Sequence, residues 1–230
     1  MNHKKISQET LKSIACVTML LDHIGAVFVP WIGLRVIGRL AYPIYCFLLA
    51  EGAVRTRNPK KYAIRLAVGM ILAEIPYDLL FYGRLTWAHQ SVMVTLLLGF
   101  GMMMAIDKVW TTGLKFLLAV VFALTAELLN TDYGGTGIFI IALFAVTRER
   151  EDRIVLQTLG QALIWLTAGG YEIALGSFSI PIQLFALTAM IPIGLYSGEK
   201  TTSSRAVQIA FYLFYPAHMA ALLLLRGMIA

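Results

Sequence analysis

The chain has 230 residues, of which 59% are hydrophobic and only 14% charged, with a mean hydropathy of +0.75. Soluble domains carry about 25% charged residues, so the composition excludes an ordinary soluble enzyme and points to a polytopic α-helical membrane protein. A net charge of +6 would suit nucleic acid in a soluble protein; here membrane topology accounts for it, and no nucleic-acid partner is expected.

Apolar runs near the roughly 20 residues that cross a bilayer alternate with short charged intervals. We read an all-α bundle in a single domain, 1–230, of about nine spans, with eight or ten as alternatives. In chain order they cover 11–29, 34–54, 62–82, 91–107, 113–129, 136–147, 154–170, 178–196 and 206–226. A closed β-barrel would show segments of about 10 residues with alternating polarity, which this sequence lacks. The first run follows Lys4 and Lys5 and resembles a signal peptide. It is too long for one, holds Asp22 and His23 and lacks a small-residue cleavage site, so it reads as a retained helix. Cys16 and Cys46 fall inside apolar runs, where cysteine behaves as a small hydrophobe, and no disulfide is expected. With the N-terminus cytoplasmic and the C-terminus outside, the 19 lysines and arginines all lie on cytoplasmic ends except Arg35, Arg39, Arg84 and Arg226. A multi-pass protein of the inner or plasma membrane is therefore expected.

An ionisable residue well inside a span costs about 2.5 kcal/mol or more, and is kept where it lines a cavity, pairs, or does chemistry. The first run carries Lys12, Asp22 and His23, with Lys12 and His23 roughly 16 Å apart along the axis at helical rise. His23 can serve as a general base, its unperturbed pKa being about 6.5; the bland alternative is a histidine that fixes helix packing. Adjacent helical positions do not face each other, so Asp22 is expected to pair with Arg39 or another helix rather than to orient His23. The stretch Glu74-Ile75-Pro76-Tyr77-Asp78 sets two carboxylates on one face around a kinking proline. Arg35 and Arg39 are their natural partners, as a structural ion pair or as an acid–base assembly.

Glu127 precedes a polar loop at 130–135. The final run holds Phe211 to His218, where Pro216 frees a carbonyl near Tyr212 and tyrosine hydroxyls lie at the depth of His218; aromatic packing accounts for the stretch equally well. In the expected topology Asp22, His23, Arg39, Glu74, Asp78, Glu127 and His218 converge on the outer half of the membrane. The interval with Arg55, Arg57, Lys60, Lys61 and Arg65 is densely basic. It reads as a positive-inside signal, or as a site for a phosphorylated ligand. The sequence has no glycine-rich phosphate loop, no metal-spaced Cys/His set and no nucleophile elbow, so no metal is expected.

The phrases LKSIACVTMLLDHIGAVF, LRVIGRLAYPIYCFLLAEG, AEIPYD and FYLFYPAH, with the basic interval from Arg55 to Arg65, resemble the TraX family, named for a conjugal-transfer protein that acetylates pilin. The likeness covers most of the chain. The chain is also distantly similar to the acyltransferase-3 superfamily, whose first helix bears an arginine and a histidine at the spacing of Lys12 and His23. The resemblance implies an acetyltransferase that moves an acetyl group from cytosolic acetyl-CoA to an amine or hydroxyl acceptor at the outer face. It implies that Lys12, Arg55, Arg57, Lys60, Lys61 and Arg65 hold the phosphates of acetyl-CoA. It further implies that His23 deprotonates the acceptor or carries the acyl group, that Arg39 stabilises the tetrahedral intermediate, and that Glu74 and Asp78 hold Arg39 and assist proton transfer. Asp22 and His218 complete the candidate catalytic set.

Two other classes compete. A proton-coupled transporter or exporter would use Asp22, His23, Glu74 and Asp78 as a relay, and a structural subunit would use the same residues to join helices. The absence of an internal repeat counts against the transporter. The acceptor, whether peptide, glycan, lipid head group or small amine, is not specified by the residues.

Overall fold

The computed structural model describes residues 6–148, 151–169, 171–175, 178–198 and 204–229. Lys4, Lys5, Arg150 and Lys200, which the orientation count uses, lie outside them. Among the described residues the chain is helical apart from one small hairpin. In order come α1 (Gln8–Val27), α2 (Ile32–Gly38), α3 (Ala41–Arg55), α4 (Pro59–Tyr82), α5 (Val92–Ile106), α6 (Thr112–Leu128), α7 (Gly134–Thr147) and α8 (Arg153–Ala168). The antiparallel strands β1 (Glu172–Leu175) and β2 (Phe178–Pro181) follow, then a 3₁₀ helix (Ile182–Ala189), α9 (Met190–Gly194) and α10 (Arg205–Ile229).

Two departures from the expected spans have local causes. The run expected at 34–54 is broken after Gly38 into α2 and α3. Pro43 stands in the first turn of α3, where proline is tolerated; its ring crowds the carbonyl four residues back, that of Arg39, which favours an interruption there. The run expected at 178–196 is not a continuous α-helix. It starts as a strand, then tightens into the eight-residue 3₁₀ helix and only afterwards becomes α-helical.

The chain forms two compact units. One takes in Met1–Leu48 and Glu149–Phe211, the other Leu49–Arg148 and Tyr212–Ala230. In the first unit α1 packs on α2, and α8 packs on the 3₁₀ helix and α9. Ser7 caps α1 by accepting the Thr10 N–H at 3.2 Å, satisfying one of the donors that a helix start leaves open. Ile6 is clasped against the segment after α9, donating to the Leu195 carbonyl at 2.9 Å and accepting from the Ser197 N–H at 3.0 Å.

In the second unit α5 packs on α4, α6 and α7, and α6 packs on α7. Ile138, Ile140 and Ile141 of α7 are wholly buried. Asn58 and Pro59 start α4, the Asn58 side chain accepting the Lys61 N–H at 2.9 Å; Gly83, with φ +68°, ends it in the left-handed conformation that glycine adopts without penalty. The connections after α4 and after α6 are zipped together. The Gln90 N–H donates to the Asn130 carbonyl at 3.0 Å, and the Asp132 N–H to the Gln90 carbonyl at 2.8 Å.

Three helical stretches, Gln8–Val27, Ile32–Arg55 and Ala206–Ile229, are long and apolar enough to cross a membrane. Helices α5 to α8 are shorter, at 15, 17, 14 and 16 residues. Large apolar side chains are exposed along α4 (Ile64, Val68, Ile71, Ile75) and α8 (Val155, Leu159, Leu163, Leu166). Continuous apolar faces of this kind are what a lipid-facing surface shows and a water-facing one avoids.

Candidate functional site

In the first unit the charged residues of α1 and α2 form a clamp. Arg35 and Arg39 stand one turn apart on α2 and both reach Asp22 of α1. Arg35 Nη1 lies 2.8 Å from Asp22 Oδ2 and also donates to the Asp22 carbonyl at 3.2 Å. Arg39 Nη2 bonds Asp22 Oδ1, and its Nε donates to the Arg35 carbonyl at 3.1 Å. The Asp22 and Arg39 side chains are 12% and 8% exposed, whereas that of Arg35 is 34% exposed. Arg39 is thus the sealed arm of the clamp and Arg35 the accessible one. The approach depends on glycine: a Cβ at Gly25 would come 2.8 Å from Leu34 Cβ, and one at Gly38 would strike the Asp22 carboxylate.

His23 is half-buried on the next position of α1, turned away from Asp22 by about 100° of helical rotation. Lys12 is half-buried with its ammonium 5.4 Å from the centre of the Phe211 ring, a cation–π geometry. In the clamp two guanidiniums meet one carboxylate, one position before His23 on α1.

In the second unit the carboxylates of α4 are met by neutral donors. The sequence offers Arg35 and Arg39 as partners for Glu74 and Asp78; within the first unit those arginines engage Asp22. Glu74 instead receives the Ser91 hydroxyl at 2.5 Å and the Ser91 N–H at 3.1 Å. The wholly buried Ser91 is the residue before α5, and the Tyr215 hydroxyl of α10 hydrogen-bonds it in turn. Asp78 Oδ2 accepts the Thr86 N–H at 2.8 Å, while its buried Oδ1 has no hydrogen-bond partner among the described residues. Glu127 accepts the Gly135 N–H at 2.7 Å and closes the turn into α7.

His218 is buried on α10, with its ring stacked on Phe214 at 4.9 Å and Nδ1 2.8 Å from the Phe214 carbonyl. A carbonyl only accepts, so Nδ1 carries the proton and in the neutral ring the lone pair is on Nε2.

The basic interval also belongs to the second unit. Arg57, Lys60 and Lys61 are exposed around the start of α4. Arg55 is paired with Glu51 at 2.6 Å, one helical turn back. Arg65 lies between the rings of Tyr62 and Tyr212, 5.4 and 5.6 Å from their centres, and its Nε donates to the Tyr212 hydroxyl at 3.4 Å. Exposed cations around a helix N-terminus can receive phosphate oxygens.

Within each unit, then, the predicted residues divide cleanly. Asp22 and Arg39 meet, with His23 next to Asp22 and Lys12 three turns away; Glu74 and Asp78 share a face of α4; Arg55, Arg57, Lys60, Lys61 and Arg65 follow one another. Sequence reasoning missed Ser91, Tyr77 and His89. Tyr77 and His89 are hydrogen-bonded at 2.9 Å, a contact across a connection whose path no periodicity announces. The polar run from Thr86 to Ser91 was the available signal.

The fold and these centres define a membrane-associated helical protein with charged side chains buried among apolar segments. The chain belongs to the TraX protein family, which matches residues 7–226. It is similar to a probable fimbrial assembly protein, FimC of serogroup H1, from Dichelobacter nodosus: 28% identity over 227 residues, covering 92% of each chain. It is also similar to uncharacterized protein RP591 of Rickettsia prowazekii (strain Madrid E), 31% identical over 93 residues, which is 40% of this chain and 34% of that one. No solved structure matches the chain.

Proposed function

We propose that the chain is a multi-pass acetyltransferase of the inner or plasma membrane, about nine spans with the N-terminus cytoplasmic, using acetyl-CoA as donor and an amine or hydroxyl at the outer face as acceptor. The observation that carries the proposal is the clamp on α1: two guanidiniums fixed on Asp22, the residue that precedes His23 in the chain. A preorganised cation of this kind stabilises the oxyanion of an acyl-transfer intermediate. His23 acts as base or acyl carrier, Arg39 as the positive charge and Asp22 as its holder. Glu74, Asp78 and His218 supply proton-handling groups.

The cationic groups of Lys12, Arg55, Arg57, Lys60, Lys61 and Arg65 bind the donor's phosphates in this scheme, and family membership supports an acyl-transfer chemistry. Within each unit, segments that the topology puts on one side are hydrogen-bonded to each other, Ile6 with Ser197 and Gln90 with Asp132. Trp31, Trp87 and Trp110 are exposed beside helix ends, the positions tryptophan takes at a membrane surface. The fimbrial role in the name of the Dichelobacter relative favours a subunit of a surface fibre as the acceptor.

The test is acetyl-CoA binding and thiol release by the purified full chain in detergent. Binding should saturate and weaken with salt, and His23→Ala should abolish turnover at unchanged helicity. Normal turnover in that variant refutes the role of His23, and absence of any acetyl-CoA binding by the wild type refutes the enzyme.

A further inference from the structure

Within the first unit, Arg35 is held by one edge of its guanidinium and leaves the other open. A guanidinium has N–H donors on both Nη atoms and on Nε. Arg35 Nη1 is committed twice to Asp22, to Oδ2 at 2.8 Å and to the main-chain carbonyl at 3.2 Å. Its Nη2 and Nε have no hydrogen-bond partner among the described residues. These two nitrogens form the side edge of the fork, whose parallel N–H groups match two oxygens of one carboxylate or phosphate. The side chain is 34% exposed.

The geometry is set before any ligand arrives. The stem of Arg35 lies over Gly25 of α1, where an added Cβ would come 3.4 Å from its Cδ and 3.6 Å from its Cγ. A side chain pinned along its stem and at Nη1 has little rotamer freedom to lose on binding. The elements packed on α2 bring no carboxylate to the open edge. They are α1 and the 3₁₀ helix. The 3₁₀ helix contains no Asp or Glu; α1 contains Asp22 and, in its first turn, Glu9, roughly 20 Å from Asp22 at helical rise. Between Asp22 and Glu51 the chain has no acidic residue.

We infer that this edge of Arg35 seats a carboxylate or phosphate group of the acceptor, through paired hydrogen bonds from Nε and Nη2. That the ligand is the acceptor rests on the acetyl-transfer reading; the affinity for an oxyanion does not. Among the acceptors which that reading leaves open, the site selects those that carry an anionic group besides their amine or hydroxyl. Arg35 is a binding residue and takes no part in bond making.

The experiment uses the full chain in neutral detergent at matched ionic strength. Phenylglyoxal modifies guanidinium groups that it can reach, and mass spectrometry reads each arginine separately. Arg35 should be labelled, and 4-aminobutyrate or phosphoethanolamine should slow its labelling, whereas butylamine, which lacks the anion, should not. The exposed Arg84 should label at one rate throughout. Arg35→Lys keeps a charge for Asp22 but has no fork. It should bind 4-aminobutyrate about tenfold more weakly, read from the rise in melting temperature with ligand. In wild type, thiol release from acetyl-CoA should show a KM for 4-aminobutyrate about tenfold below that for butylamine.

An Arg35 that resists labelling without ligand, or labels at one rate with and without the anions, overturns the inference, as does equal binding by Arg35→Lys. Protection by phosphatidylglycerol in mixed micelles, with none by the two soluble anions, overturns it in favour of a lipid head group. No thiol release with Arg35 protected sinks the transferase reading and leaves an oxyanion site. Thiol release with Arg35 unprotected sinks only the inference.

Discussion

The two units hold their buried carboxylates by different means. In the first, Asp22 is gripped by the guanidiniums of Arg35 and Arg39. In the second, Glu74 and Asp78 are met by the hydroxyl and backbone N–H of Ser91 and by the N–H of Thr86. Opposite charges lock two segments into one geometry around two fixed guanidiniums. Neutral donors reach Glu74 and one oxygen of Asp78 without cancelling the carboxylate charge. One arrangement suits stabilising an anion, the other suits drawing in a proton.

The contrast can be broken most severely at Asp22. Asp22→Ala takes the carboxylate away from two guanidiniums, one of them sealed, and removal of one side of a buried pair costs about 3–5 kcal/mol. Heat-induced loss of helicity in detergent should show it, and an Asp22→Ala variant as stable as wild type would mean the clamp is not structural. In the other unit Ser91→Ala should cost less, about 1.5–3 kcal/mol, the range for a hydrogen bond to a charged group. The same melting experiment checks it, and an equal loss at the two sites would erase the distinction drawn above.

Gly38→Ala drives a Cβ into the Asp22 carboxylate and should cost about 1–3 kcal/mol as overpacking. It should also abolish the coupling between Asp22 and Arg39 in a double-mutant cycle, which a packing defect elsewhere would leave intact. The smallest effect is expected for Glu51→Ala. Glu51 is buried but its partner Arg55 is 29% exposed on the same helix and can turn to water. The loss should therefore lie above about 0.3–0.5 kcal/mol, the range for a fully exposed pair, and below that at Ser91. A clear shift in melting there would show that Arg55 is held for more than helix stability.

Much of the helical layout was legible from the chain because hydrophobic runs and their charged borders are local properties. The starts of α1 and α4 coincide with Ser7 and Asn58, whose side chains accept open helix N–H groups. The break before α3 was written in Pro43, but it takes effect on a carbonyl four residues away. The hairpin of β1 and β2 was hidden because its apolar residues continue the hydrophobic run that follows.

Composition and order of the residues determined that the protein is helical and apolar, that ionisable groups lie within its apolar segments, and that it belongs with the TraX proteins. Which of those groups meet was decided only by the tertiary structure. Asp22 reaches partners 13 and 17 positions away, Glu74 a serine 17 away and Tyr77 a histidine 12 away. Such choices depend on how a connection folds back and on how closely glycine lets two helices approach. Neither is a property of a residue and its immediate neighbours, so the pattern of hydrophobicity that lays out the helices is silent about it.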